Sequence, residues 1–265
     1  MIDSILANLP ESFLWKDSIL YFDTIDSTNT KAKQLAAQGA PHGTVLIADS
    51  QTVGRGRLGR SFHSPAGKGI YLSVILRPQC HASALMHLTC ATGVAMCDAV
   101  ESACGIRPGI KWTNDLVFGN RKLGGILTEL SLDPTGNAAY AVVGIGINCS
   151  QSEADFPEDI RAIATSLQMQ TGNTVDRSRV IAAMLVALEE MSRILLPQKA
   201  QIMEQYRLDC ITVGQEISVL TGERVRHGTA VSVDDEGALL VRFSDGHTEA
   251  VSSGEVSIRG MYGYI

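Results

Sequence analysis

The chain has 265 residues, 45% hydrophobic and 19% charged, which is enough apolar material for a buried core and too much for a disordered chain. Its net charge of -6 excludes general affinity for nucleic acid, which needs a basic footprint. No run approaches the roughly 18 apolar residues of a membrane span, and Met1 to Pro10 lacks a basic segment followed by a long apolar one. The expectation is a cytoplasmic globular protein with no membrane partner. The charge is unevenly spread. Between Asp49 and Asp98 there is no acidic residue, whereas Arg55, Arg57, Arg60, Lys68 and Arg77 all lie there. Such a basic island in an acidic protein suits it to a small anion.

Ser27 reads as the N-cap of a short helix over Thr28 to Gln38 that ends at Gly39, and a βαβ-like rhythm begins here. Thr44 to Asp49 reads as a buried strand, Ser50 to Lys68 as a long functional loop, and Gly69 to Arg77 as a second strand. Apolar spacing predicts one long helix over Ala82 to Cys104, closed by Gly105. Ile110 to Phe118, Lys122 to Leu132 and Ala138 to Asn148 read as an antiparallel meander, divided by Gly119-Asn120 and by the turn residues Asp133 to Asn137. Val180, Met184, Leu185, Leu188, Met191 and Leu195 mark an amphipathic helix capped by Asp176, with a further helix running to about Tyr206. From Val213 onward, short β-like runs alternate with turn signals at Thr221-Gly222, Asp234 to Gly237 and Asp245-Gly246, which suits a small barrel of about 50 residues. The expected division is a first domain over 1–210 and a second over 211–265.

The six cysteines contain no CxxC pair, and His81 and His87 do not stand at a zinc-binding spacing from them. Cys90, Cys97 and Cys104 recur at a helical spacing that sets neighbours two turns, about 10.5 Å, apart. No disulfide joins sites so far apart, and the three read as small buried hydrophobes.

Three segments carry the chemistry. In Gly54 to Arg60 glycines alternate with arginines. Glycine lets backbone N–H groups approach a phosphate, and guanidinium offers forked donors to its oxygens. An RGG-like nucleic-acid segment or a solvated charged loop has the same composition, so three readings stand. The second segment is Lys111-Trp112-Thr113-Asn114-Asp115 with Arg121 to Gly125. If Gly119-Asn120 is a two-residue hairpin loop, Val117 pairs with Lys122, and Asp115 shares the face of Lys122 at the diagonal position. A cation and a carboxylate then flank one site, or else they form a surface ion pair. In the third, Gly144 to Asn148, Gly144, Gly146 and Asn148 share one strand face. Glycine is avoided inside strands, so either the strand packs closely on another backbone or a flat ligand lies against a smooth wall.

Ser27-Thr28-Asn29 and these motifs, in this order and approximate spacing, resemble those of the bacterial biotin protein ligases. The likeness spans about Phe22 to Asn148, and the C-terminal segment is similar to the family's SH3-like domain. The resemblance implies an α+β fold, with a mixed, mainly antiparallel sheet packed with helices (a class II synthetase-like catalytic domain) plus a small C-terminal β-barrel. It implies ATP-dependent formation of biotinyl-5'-AMP and transfer of biotin to a lysine of a biotin carboxyl carrier protein, with Mg2+ accompanying ATP. Lys122 would be the central catalytic residue, joined by Arg57. Ser27, Thr28, Asn29, Gln51, Gly54, Arg55, Tyr71, Lys122, Gly125 and Gly144 would bind biotin. Arg57, Arg60, Phe62, Lys111, Asn114, Asp115 and Asn148 would serve the nucleotide, with Asp115 also near the metal. No histidine is assigned as the base for the acceptor lysine. The chain departs from the family's commonest pattern at Thr113, where proline is usual, at Phe62, where tryptophan is frequent, and at Leu58, where arginine is frequent.

Only about twenty residues precede the first motif strand, too few for a DNA-binding domain, so no DNA binding is expected. A homodimer formed by edge-to-edge strand pairing is the family-based expectation for assembly. Two rivals stand beside the ligase: a lipoate or octanoate protein ligase, and a non-catalytic binding module.

Overall fold

The computed structural model describes residues 1–221, 224–252 and 255–258; the turn expected at Gly222 lies outside them. Helix α1 (Ile2–Asn8) leads into β1 (Ile19–Ile25), α2 (Thr28–Ala37) and β2 (Thr44–Gln51), and β1 pairs with β2 in parallel, so the βαβ rhythm is real. The Ser27 side chain accepts from Thr30 N–H and caps α2 as expected. Strand β3 (Gly69–Leu76) is buried along its whole length, because helices cover both faces of the sheet at this point.

The helix expected over Ala82 to Cys104 is interrupted. A 3-10 turn (Ala82–Leu85) precedes α3 (Leu88–Cys104). The break lies beside His87, a fully buried residue whose Nε2 reaches Leu195 O at 2.9 Å. Side-chain partners outside the helix outweigh continuation of the helical ladder there. Contrary to the expectation that no run approaches a membrane span, the stretch 82–104 is long and apolar enough by length and composition, yet most of its apolar side chains belong to the protein core, Met86 being exposed.

The strand expected over Ile110 to Phe118 is two strands. β4 (Gly109–Lys111) and β5 (Asp115–Phe118) form an antiparallel hairpin in which Lys111 pairs with Asp115. The reversal runs through Trp112-Thr113-Asn114, with a cis peptide between Trp112 and Thr113. No local turn residue announces it, since distant groups hold it. Trp112 N–H donates to Thr212 Oγ1 and Trp112 Nε1 to Gly237 O, both at 2.9 Å. Tyr206 Oη donates to Thr113 O at 3.0 Å.

β5, β6 (Arg121–Leu132) and β7 (Ala138–Asn148) form the expected meander. After the short helices α4 (Glu158–Arg161) and α5 (Leu167–Thr171) come α6 (Arg177–Ile194), capped by Asp176, and α7 (Lys199–Asp209). The main sheet has the order β1-β2-β3-β7-β6-β5-β4 and is mixed but mainly antiparallel. α3 and α6 bury their apolar faces on one side of it. On the other side α2 seals Ala32 and Ala36 against Leu46, Ile75 and Val142.

Strands β8 (Glu216–Thr221), β9 (Arg224–Val233), β10 (Leu239–Phe243), β11 (Thr248–Val251) and β12 (Glu255–Ile258) make a second, antiparallel sheet in the order β11-β10-β9-β8-β12. Its apolar residues Ile217, Val219, Ala230, Val233, Leu239 and Val241 belong to one continuous core with those of α3.

Candidate active site

The face of the main sheet that carries α2 opens, beside the start of that helix, into a cavity of about 270 Å³. Glycines make its floor. Gly144 and Gly146 on β7 and Gly125 on β6 line it, with Asn148 farther along the same strand face. A Cβ on Gly144 would overlap the side-chain oxygen of Asn29, and one on Gly146 would overlap the Phe62 ring. The close neighbours here are side chains and not the second backbone that one reading expected, and both glycines line the cavity.

The Gly119-Asn120 hairpin pairs Val117 with Lys122, as expected, and a bulge then moves Asp115 opposite Gly125. The extra residue brings Lys122 and Gly125, three apart, onto one face. Lys122 Nζ meets Asp115 Oδ1 at 2.7 Å on the cavity wall. The Lys122 backbone is held as well, since its N–H donates to Ile163 O at 2.7 Å and its carbonyl accepts from Thr165 N–H at 2.8 Å.

At one end the lining is polar and mostly buried. Thr28 N–H donates to Gln51 Oε1 at 2.9 Å, and Gln51 Nε2 donates to Ser64 Oγ at 3.0 Å. The buried Ser73 hydroxyl faces Asn29 Oδ1 at 2.6 Å and Thr28 Oγ1 at 2.8 Å. Ser27, Thr28 and Asn29 are each at most 4% exposed, so this end is solvent-poor and every hydrogen bond in it counts.

The other side is cationic. Arg57, Arg60, Lys111 and Lys122 all line the cavity. Arg57 Nη1 donates to Asn114 Oδ1 at 2.8 Å, and Asn114 Nδ2 donates to Ile126 O at 3.0 Å, which ties the glycine-rich loop to the β4–β5 reversal. Asn148 donates to Thr165 O at 2.9 Å and accepts from Gln151 at 3.2 Å. Arg55 turns toward Glu129, 3.4 Å away. Burial alone would raise the Glu129 carboxyl, but hydrogen bonds from Lys33 and Asn29 and the charge of Arg55 hold it below the ordinary carboxylate range.

Two expected site residues stand behind the cavity rather than on its wall. The Tyr71 ring is fully buried, edge-on to Phe62 at 6.3 Å, with its hydroxyl on Pro65 O. Gly54 leaves room for Phe62 O and Ser64 Oγ. Other residues were not anticipated: Ser73, Glu129, His63 on the loop, and an apolar wall of Phe156, Ile160, Ile163 and Ala164 beside Asn148. That wall comes from a segment with no motif, and its hydrophobes read as ordinary core.

Among the described residues there is no group of three or more metal-ligating side chains. The one carboxylate among the lining residues, Asp115, is engaged by Lys122. One carboxylate already paired with a lysine supplies a single metal ligand at most, so these residues do not by themselves build a protein-held magnesium site. All six cysteines are free thiols; burial pushes Cys90 up to about 12 and Cys149 up to about 11.

A buried polar end, a glycine floor and a cationic far side give the cavity one end suited to a hydrogen-bonding group and another suited to an anion. Residues 21–148 match the biotin/lipoate A/B protein ligase family, and residues 212–259 match the biotin protein ligase C-terminal domain. The chain is 38% identical over 233 residues to the bifunctional ligase/repressor BirA of Bacillus spizizenii, covering 86% of this chain and 70% of that protein. It is 36% identical over 238 residues to the biotin--[acetyl-CoA-carboxylase] ligase of Mycobacterium tuberculosis, covering 87% and 85%. The Aquifex aeolicus biotin protein ligase, solved in complex with biotin and ATP, superimposes with a TM-score of 0.76 at 32% identity, covering 91% of this chain and 98% of that one. The chain belongs to the biotin protein ligase family.

Proposed function

We propose that this protein activates biotin with ATP as biotinyl-5'-AMP and transfers the biotinyl group to a lysine of a biotin carboxyl carrier protein. The observation that carries this reading is the polar cluster of Ser27, Thr28, Asn29 and Gln51 at one end of a glycine-floored cavity, with the buried Ser73 hydroxyl behind it. A cyclic urea has one carbonyl acceptor between N–H donors. Thr28, Asn29 and Gln51 present oxygens to such donors, and the Ser27 hydroxyl, which accepts from Thr30 N–H, keeps its own proton to give to the carbonyl. The dithiolane of lipoate would leave these buried groups unmatched, at a cost of about 1–3 kcal/mol each.

Biotin's carboxylate attacks the α-phosphorus of ATP, so two anions must be brought together. Lys122, aimed by Asp115 and by its clamped backbone, bridges the carboxylate and the α-phosphate. Arg57 and Arg60 offset charge as pyrophosphate leaves, with Lys111 and Asn114 beside them. Asn148 and the apolar wall at Phe156 and Ile160 face the base of the nucleotide. In the second step the acceptor amine attacks the mixed anhydride and AMP departs. Residues 1–210 form the catalytic domain and 211–265 the SH3-like domain in this reading. In this reading the protein acts in the cytoplasm, and two copies would pair along an edge strand of the main sheet, whose edges are β1 and β4.

Pyrophosphate release should depend on biotin and not on lipoate or octanoate, and labelled biotin should pass to a carrier domain. Release driven equally by lipoate would overturn the reading. Gly144→Ala should fold and still bind ATP, because the three atoms nearest the added methyl all belong to the Asn29 amide. Its biotin affinity should fall by about 100-fold, the loss of two well-made hydrogen bonds; calorimetry showing normal biotin binding would remove Gly144 from the biotin floor.

A further inference from the structure

Glu129 lies on the cavity face of β6, two residues beyond Leu127, and no motif includes it. Three groups converge on its carboxylate: Lys33 Nζ at 2.7 Å, Asn29 Nδ2 at 3.1 Å and Arg55 at 3.4 Å. Asn29 Nδ2 also donates to Leu127 O at 3.2 Å. A carboxylate and a carbonyl accept hydrogen bonds and never donate them, so they admit only the NH2 end of the Asn29 amide. The Asn29 oxygen is thereby forced to the opposite side, against the Ser73 hydroxyl and over the place where Gly144 lacks a side chain.

We propose that Glu129 is a positioning residue: by taking an amide N–H of Asn29 it fixes the Asn29 oxygen toward the cavity floor, and so sets the pocket to read a hydrogen-bond donor on the bound ring. This rests on the reading that the cavity takes biotin. Leu127 O alone does not secure the orientation, because a backbone carbonyl binds an amide more weakly than a charged carboxylate does. Glu129 also spends the charge of Lys33 and Arg55, which keeps the carboxylate ionised and acceptor-only.

The test pairs a protein change with a ligand change. Glu129→Gln keeps the shape but offers an NH2 group, so the Asn29 amide can reverse. Biotin is compared with its two isomeric carbamate analogues, in which a ring oxygen replaces one ureido N–H. The wild-type protein should prefer biotin, because one isomer sets an oxygen lone pair against the Asn29 oxygen. E129Q should raise KM for biotin by about tenfold while kcat and KM for ATP stay within about twofold, and should shrink the preference over that carbamate by about tenfold. Lys33→Met, which removes a partner of Glu129 without touching Asn29, should leave the preference unchanged.

An E129Q protein that loses activity equally toward biotin and both carbamates has only a structural defect, and that result overturns the inference while leaving the biotin reading intact. A shift in preference in K33M as large as that in E129Q also overturns it, since charge and not amide orientation is then responsible. A wild-type protein that binds neither biotin nor carbamate but binds lipoate refutes the underlying reading and this inference with it.

Discussion

Lys122→Ala abolishes biotin-dependent pyrophosphate release, with an expected fall in rate of at least about 1,000-fold. Removing one preorganised charge contact at a developing anion typically costs about 10²–10³-fold, and Lys122 touches two anions in the proposed mechanism. Little stability should be lost. The Lys122 side chain is 33% exposed, and its pair with Asp115 sits where such pairs contribute less than about 1 kcal/mol. The backbone contacts to Ile163 and Thr165 survive truncation of the side chain. The melting temperature should therefore stay within a few degrees while single-turnover adenylate formation vanishes. Near-normal pyrophosphate release by a folded K122A protein would strip Lys122 of its assigned role.

Arg57→Ala should separate the two substrates. In the structure its guanidinium rests on Asn114 rather than on any group at the polar end, so its expected ligand partner is the phosphate. A charge-assisted bond of this kind is worth about 1.5–3 kcal/mol, which corresponds to about 10- to 150-fold faster escape of biotinyl-5'-AMP. The affinity for biotin alone should change by less than about threefold. Stopped-flow release and equilibrium dialysis measure the two quantities; equal losses in both would place Arg57 on biotin instead of on the phosphate.

The legible features of the chain were those governed by near neighbours. The Ser27 cap, the Gly119-Asn120 hairpin and the Asp176 cap are local rules satisfied locally. From the hairpin alone, the shared face of Lys122 and Asp115 could be placed before any coordinates. Features imposed from a distance were not legible. The break beside His87 depends on a carbonyl 108 residues away, and the reversal at Trp112 depends on Thr212 and Gly237. The bulge beside Leu116 had a cue in Gly124-Gly125, since glycine inside a strand marks such irregularities, but the two glycines do not say which residue is the extra one. Glu129 and Ser73 are single polar residues in strands, where only the fold shows what they face. Gly54 and Tyr71 went the other way. Placed on the wall by resemblance, they support Phe62 and Ser64 from behind.

The buried sulfur next to the site has a chemical consequence. Cys149 follows Asn148 directly, is fully buried, and has its thiol pushed up to about 11 by burial. A mixed anhydride is an electrophile, and thiolate is a stronger nucleophile toward it than a neutral amine. A residue held as the thiol and packed into the core does not compete for an acyl group in the cavity. No cysteine is among the described residues that line the cavity. The wall of the pocket thus holds no sulfur nucleophile of its own against which an activated acyl group could be lost.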